Sequence, residues 1–83
     1  MSVSGRSPDQ AKLRWRCRRG TKELDVLTTR YLDHFYGDAS TEEQWEFAAM
    51  LDMQDPELYL ILSRKQPPNG SLQEAIVAKI HSL

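Results

Sequence analysis

The sequence predicts an all-α fold, a compact single-domain bundle of five short helices. Three observations predict it. Apolar residues recur at steps of three and four, strand-like alternation is scarce, and helix-capping and helix-stopping residues punctuate the chain at short intervals. With 83 residues the chain makes one domain spanning 1–83, with 1–7 expected as a flexible N-terminal tail.

The first helix is expected from about Pro8 to Arg18, with Ser7 as N-cap, Pro8 at the first helical position and Gly20 as the stop. The second is expected from Thr21 or Lys22 to Tyr36, because Leu24, Leu27, Tyr31 and Phe35 form one stripe, and Gly37 would end it. The third opens on the capping-box pattern Ser40-Thr41-Glu42-Glu43 and should turn Trp45, Ala48, Ala49 and Leu51 or Met53 inward. The fourth opens on Asp55-Pro56-Glu57, with Asp55 as cap, and carries Leu58, Ile61 and Leu62. Gln66-Pro67-Pro68-Asn69-Gly70 reads as a loop. A second capping-box pattern, Ser71-Leu72-Gln73-Glu74, opens the fifth helix, with Leu72, Ile76, Ile80 and Leu83 on one side.

Composition narrows the function classes. So short a chain has a thin core, with little room for a deep, water-excluding pocket. No Ser/His/Asp set and no phosphate-binding loop pattern occurs, so the chain is read as not itself an enzyme. One cysteine, Cys17, cannot form an internal disulfide. Cys17, His34 and His81 are not at metal-ligand spacing, so no metal is expected. The longest apolar runs, such as Leu58 to Leu62, fall far short of the roughly 20 residues of a membrane span. The first ten residues hold no signal-peptide core, and a cytoplasmic protein without direct membrane insertion is expected.

Charge is distributed unevenly although the net is only −1. Residues 1–22 carry seven bases against Asp9, a net of +6. Residues 23–57 carry ten acids against Arg30, a net of −9, and residues 58–83 return to +2. Such a field orients a partner.

The basic run contains the most distinctive pattern, Arg19-Gly20-x-x-Glu23. As helix-end chemistry it is unremarkable: Arg19 suits a helix C-terminus, Gly20 a turn, and Glu23 a first turn from which it can reach a free N–H. The same residues also suit a docking surface, since a partner's backbone can approach closely at Gly20 between one donor fork and one carboxylate. A nucleic-acid footprint is a third reading of the bases around Trp15. The acidic middle opposes it by repelling phosphates, and Arg16 lies off the face shared by Arg14 and Arg18.

The segment Leu13 to Leu27, LRWRCRRGTKELDVL, closely resembles the signature of the FAD assembly factor (succinate dehydrogenase flavinylation factor) family. Asp55-Pro56-Glu57-Leu58-Tyr59 resembles that family's second recurrent stretch, and the similarity runs from about Ala11 to Leu83. The resemblance implies a five-helix bundle. It implies an assembly factor that binds the flavoprotein subunit of succinate dehydrogenase, and in some bacteria of fumarate reductase, and promotes covalent attachment of FAD. The chemistry would belong to the client, where a histidine attacks the 8α-methyl carbon of oxidised, tautomerised FAD. The factor would act by positioning. On this reading the chain binds no cofactor stably, FAD belongs to the client, and the free factor is a monomer. Carried over by residue, Arg19, Gly20 and Glu23 would form the contact surface, with Arg16 and Asp25 beside them. Family members have also carried an antitoxin label, which leaves a regulatory protein-binding module as the alternative.

The remaining residues carry plainer expectations. Trp15 and Trp45 are expected as core or half-buried anchors, and Tyr31, Phe35, Tyr36 and Tyr59 as core or groove aromatics. Cys17 is expected as a small packed apolar group, with nearby arginines acting to lower its pKa. His34 and His81 should lie at the surface, and Glu42, Glu43 and Glu46 should form a solvated, capping face.

Overall fold

The computed structural model describes residues 7–82. Five helices and no strand occur among them: α1 (Gln10–Arg16), α2 (Lys22–His34), α3 (Thr41–Met50), α4 (Asp55–Leu62) and α5 (Ser71–Ile80). A single 3₁₀ turn, Tyr36–Asp38, follows α2. The all-α expectation holds. The longest helix, α2, is the axis of the packing. It touches α1, α4, α5 and the 3₁₀ turn, and α3 closes the core by lying on α5.

The boundaries differ from the expected ones for identifiable reasons. Residues 1–6 of the expected tail lie outside the described residues, and Ser7 hydrogen-bonds through its Oγ to Gln44 Oε1. Ser7 does not cap α1. Asp9 does, its Oδ1 accepting the Ala11 N–H at 3.0 Å. Pro8 lies before the helix and is buried, and its carbonyl accepts the Tyr36 hydroxyl at 2.9 Å. That long-range bond fixes where the chain enters α1. At the other end of α1 the helix stops at Arg16, short of Arg18. The carbonyl of Cys17, just beyond, is taken by the hydroxyl of buried Thr28 from α2 at 3.1 Å.

α2 also stops short of Tyr36. Phe35 leaves helical geometry, and the 3₁₀ turn directs the Tyr36 ring into the core. Gly37 lies within that turn. The Tyr36 carbonyl is satisfied by Gln44 Nε2 at 2.6 Å.

Both expected capping boxes form only in part. In α3, Ser40 Oγ accepts the Glu43 N–H at 3.1 Å, but the Glu43 carboxylate turns inward. Glu43 is therefore not part of a solvated face. It is 6% exposed, accepts the Tyr31 hydroxyl at 2.5 Å and receives Lys79 Nζ of α5 at 2.8 Å. In α5 the N-cap is Gly70, at φ +93°, with Ser71 already helical. Gln73 Oε1 reaches back to the Asn69 N–H at 2.8 Å. In α4 the N-cap is Gln54, and Asp55 is the first helical residue with Pro56 behind it.

The inward face of α3 also differs. Phe47, Ala48, Met50 and Leu51 are buried, whereas Ala49 is exposed and Trp45 is 38% exposed. Phe47 takes the central place, its ring 4.5 Å from that of Tyr31 and 6.2 Å from that of Tyr36. Leu58, Ile61 and Leu62 of α4 and Ile76 and Ile80 of α5 are buried as expected. Leu83 lies outside the described residues.

Tyr31 sits where these helices meet, fully buried. Burial, then the adjoining Glu43 carboxylate, push its phenol far above the ordinary tyrosine range. A raised folded-state pKa stabilises the fold below the unfolded-state value and loses that contribution as pH climbs past it. Tyr31→Phe should lower stability at neutral pH by about 1.5–3 kcal/mol, the worth of a buried hydrogen bond to a charged group. It should also make the decline above about pH 10 shallower than in the wild type, as read by urea unfolding across a pH series.

Candidate functional site

The bend between α1 and α2 is built from residues that each satisfy a particular backbone group. Cys17 ends α1 with its N–H still bonded to Leu13 O at 2.9 Å. Thr21 caps α2 through its Oγ1 to the Leu24 N–H at 3.4 Å. Between them Gly20 adopts φ +91°, in the left-handed region that side chains disfavour, and is exposed. A Cβ at Gly20 would meet nothing within 4 Å, so the glycine answers a backbone requirement, and open space lies above it.

Arg19 is the organising side chain. It is only 11% exposed, and each nitrogen of its guanidinium is committed. Nε donates to Asp55 Oδ1 at 2.9 Å. Nη1 donates to the carbonyls of Leu51 at 2.6 Å and Arg16 at 3.1 Å. Nη2 donates to the Met53 carbonyl at 2.5 Å. One planar group thus gathers the C-terminal end of α1, the loop after α3 and the first residue of α4. The two sequence stretches that carried the family resemblance meet here, through Arg19 and Asp55.

Asp25 supports the bend from the α2 side. Its Oδ1 accepts the Arg19 backbone N–H at 2.6 Å, the reach-back that Glu23 had seemed placed to make. Glu23 is exposed, and its side chain makes no hydrogen bond or ion pair among the described residues. Arg16 pairs with Asp52 across exposed surface, where an ion pair contributes little. The structure therefore brings all five candidate residues to one bend but divides them. Arg19 and Asp25 point into its framework, Arg16 lies on the flank, and Gly20 and Glu23 face outward.

From Glu23 a shallow groove runs between α2 and α4. Val26 and Leu27 form one wall and Pro56 and Tyr59 the other, and Lys65 Nζ stands 5.4 Å from the Tyr59 ring. Val26 is 46% exposed, an apolar side chain left open beside the bend. Val26 is an apolar residue off the Leu24, Leu27 and Tyr31 stripe of α2, and that position is the sequence signal that marks it.

Trp15 corrects an expectation. It is 71% exposed, neither core nor half-buried, because Leu13 and Cys17 occupy the inward side of α1. Cys17 is packed in the core as expected. Burial drives its thiol pKa up, and this outweighs the lowering by the Thr28 hydrogen bond and by Arg14 and Arg19. His34 and His81 are exposed, with His81 Nε2 2.7 Å from the Leu62 carbonyl. Among the described residues no group of three His, Cys, Asp or Glu side chains is arranged to hold a metal ion. No described helix is long and apolar enough to cross a membrane.

Fold and bend together define a small all-helical protein whose organised polar chemistry lies at one surface junction. The model of the family described as "Flavinator of succinate dehydrogenase" matches residues 11–83, and the chain belongs to that family. Curated relatives named "FAD assembly factor SdhE" agree. The protein of Shewanella oneidensis is 47% identical over 68 residues, covering 81% of this chain and 83% of that protein. The Coxiella burnetii protein is 38% identical over 72 residues, covering 87% of this chain and 88% of its own length. That of Colwellia psychrerythraea is 47% identical over 51 residues, covering 61% of this chain and 56% of that protein. No solved structure gives a significant match.

Two measurements check the site's construction. Arg19→Ala should destabilise the fold by about 2–4 kcal/mol in urea unfolding, since it strands Asp55 and three carbonyls. Arg19→Lys should recover only part of that, because an ammonium cannot reproduce the planar fork. The Cys17 thiol should resist alkylation at neutral pH in the folded protein and react at the rate of unfolding.

Proposed function

We propose that this chain is an assembly factor that binds the flavoprotein subunit of succinate dehydrogenase, or of fumarate reductase where that enzyme is present, and promotes covalent attachment of FAD to it. It is a helper and not the enzyme. The bond forms between the client's own residue and the client's FAD, and this chain binds no cofactor stably. It acts from the cytoplasm as a monomer that engages the client.

The observation that carries this reading is the clamped, outward-facing bend in a chain of this family. Arg19 and Asp25 hold the backbone of the bend from within, so Gly20 and Glu23 are presented at a fixed place. At Gly20 a partner's backbone can come close. Glu23 offers an uncommitted carboxylate to a partner's cation or N–H groups. Because the bend is shaped before the partner arrives, little ordering entropy opposes binding, and binding energy can go into holding the client in a reactive arrangement.

Cells lacking the gene should show severalfold less covalent flavin fluorescence of the succinate dehydrogenase flavoprotein in denaturing gels; undiminished fluorescence overturns the reading. Gly20→Arg should remain folded, with a loss of about 1–2 kcal/mol from the disfavoured φ. It should neither bind the flavoprotein nor restore flavinylation. Loss of circular dichroism in Gly20→Arg would instead assign the glycine a purely structural role.

A further inference from the structure

α1 turns Leu13 and, just beyond its end, Cys17 toward α2. On its outward side Ala11 and Trp15, with Arg14 at the flank and Arg18 two residues beyond the helix end, border one shallow depression. Trp15 is 71% exposed, the most exposed of the large hydrophobic side chains described. The Arg18 guanidinium lies 5.2 Å from the Trp15 ring centroid, a cation held against an aromatic face.

The cations of this region fall into two groups. Arg14 meets Asp33 at 2.7 Å, Arg16 meets Asp52, and Arg19 meets Asp55. Those three tie α1 to the rest of the bundle. Lys12 and Arg18 meet no carboxylate among the described residues. The outer face of α1 therefore offers one broad ring flanked by two uncompensated positive charges, and it runs directly into the Gly20 bend.

We propose that this face is a second contact with the flavoprotein client and seats an acidic segment of it, with Trp15 covering an apolar side chain and Lys12 and Arg18 meeting carboxylates. The inference rests on the reading of this chain as a flavoprotein-binding factor. Charge complementarity selects the acidic partner, since Lys12 and Arg18 beside Trp15 meet no carboxylate among the described residues. A polypeptide is favoured over a nucleic acid because Asp33, Asp52 and Asp55 already occupy Arg14, Arg16 and Arg19, so the face keeps two cations, which suits a short acidic segment better than a phosphate backbone. Tryptophan and arginine are the side chains that most often anchor protein interfaces. Trp15 and Arg18 are exposed and outside the core, so substitutions there leave the core packing unchanged.

In a Trp45→Phe background Trp15 is the sole tryptophan of this chain and, with the same titration of a Trp15→Phe, Trp45→Phe chain subtracted, reports its own burial. Titration with the purified succinate dehydrogenase flavoprotein subunit should shift its emission to shorter wavelength. By calorimetry in the otherwise native chain, Trp15→Ala and Arg18→Glu should each weaken binding about tenfold or more, with unchanged thermal melting. Arg18→Glu should also flatten the salt dependence of the affinity. If the flavoprotein binds both variants as tightly as the wild type, this second contact is overturned while the proposed function stands. If the wild type does not bind the flavoprotein, both fall. Emission that shifts with a single-stranded oligonucleotide, or with the concentration of the chain itself, and not with the flavoprotein, overturns the choice of occupant.

Discussion

One guanidinium holds the architecture of the bend together. Arg19 accepts nothing and donates four times: to the Arg16 carbonyl at the end of α1, to the Leu51 and Met53 carbonyls after α3, and to Asp55 at the start of α4. Helix C-termini leave carbonyls without partners, and their dipoles favour a cation. Here the C-terminal ends of α1 and α3 share that need and converge on one side chain, and the Asp55 carboxylate completes its set of acceptors. Burying a charge is unfavourable unless every donor is satisfied, and each nitrogen of Arg19 has an acceptor. Two turns that are distant in sequence, α1 to α2 and α3 to α4, are thereby locked into one surface.

A second polar cluster does comparable work on the far side of α2. Tyr31, Glu43 and Lys79 come from α2, α3 and α5 and join around a carboxylate that is almost wholly enclosed. A core of 83 residues has little apolar area to spare, and directional bonds of this kind specify one packing among the many that greasy contacts alone would allow. No buried side-chain nitrogen or oxygen among the described residues lacks a partner. Bonds from Asp25 and Thr28 of α2 to the backbone at Arg19 and Cys17 tie the bend to this packed bundle.

Helix number, order and most core residues were legible because they depend on local periodicity and on turn chemistry. The apolar residues of α4 and α5 follow their stripe, and Gly20 and Gly70 stand where left-handed backbone is required. What could not be read depends on long-range bonds. Glu43 has every local feature of a capping residue, yet a tyrosine and a lysine from other helices outbid the local N–H. Asp55 looks like an N-cap and instead serves Arg19. Pro8 looks like a first helical residue and instead offers its carbonyl to Tyr36. Trp15 reads as a core or half-buried anchor on its chemistry alone, although Leu13 of α1 and Cys17 at its end take the inward side.

The five residues of the candidate site show why motif and contact surface need not coincide. A short pattern of arginine, glycine and glutamate can persist for two different physical reasons at once. Arg19 and Asp25 define where the backbone goes, and their side chains are used up in doing so. Gly20 and Glu23 inherit that position and keep their outward faces uncommitted. Removing a residue of the first kind deforms the surface and lowers stability together. Removing one of the second kind changes what the surface can bind while the bundle stays folded. Separating stability from binding, residue by residue, therefore divides the motif into its framework and its face, a division that spacing along the chain cannot supply.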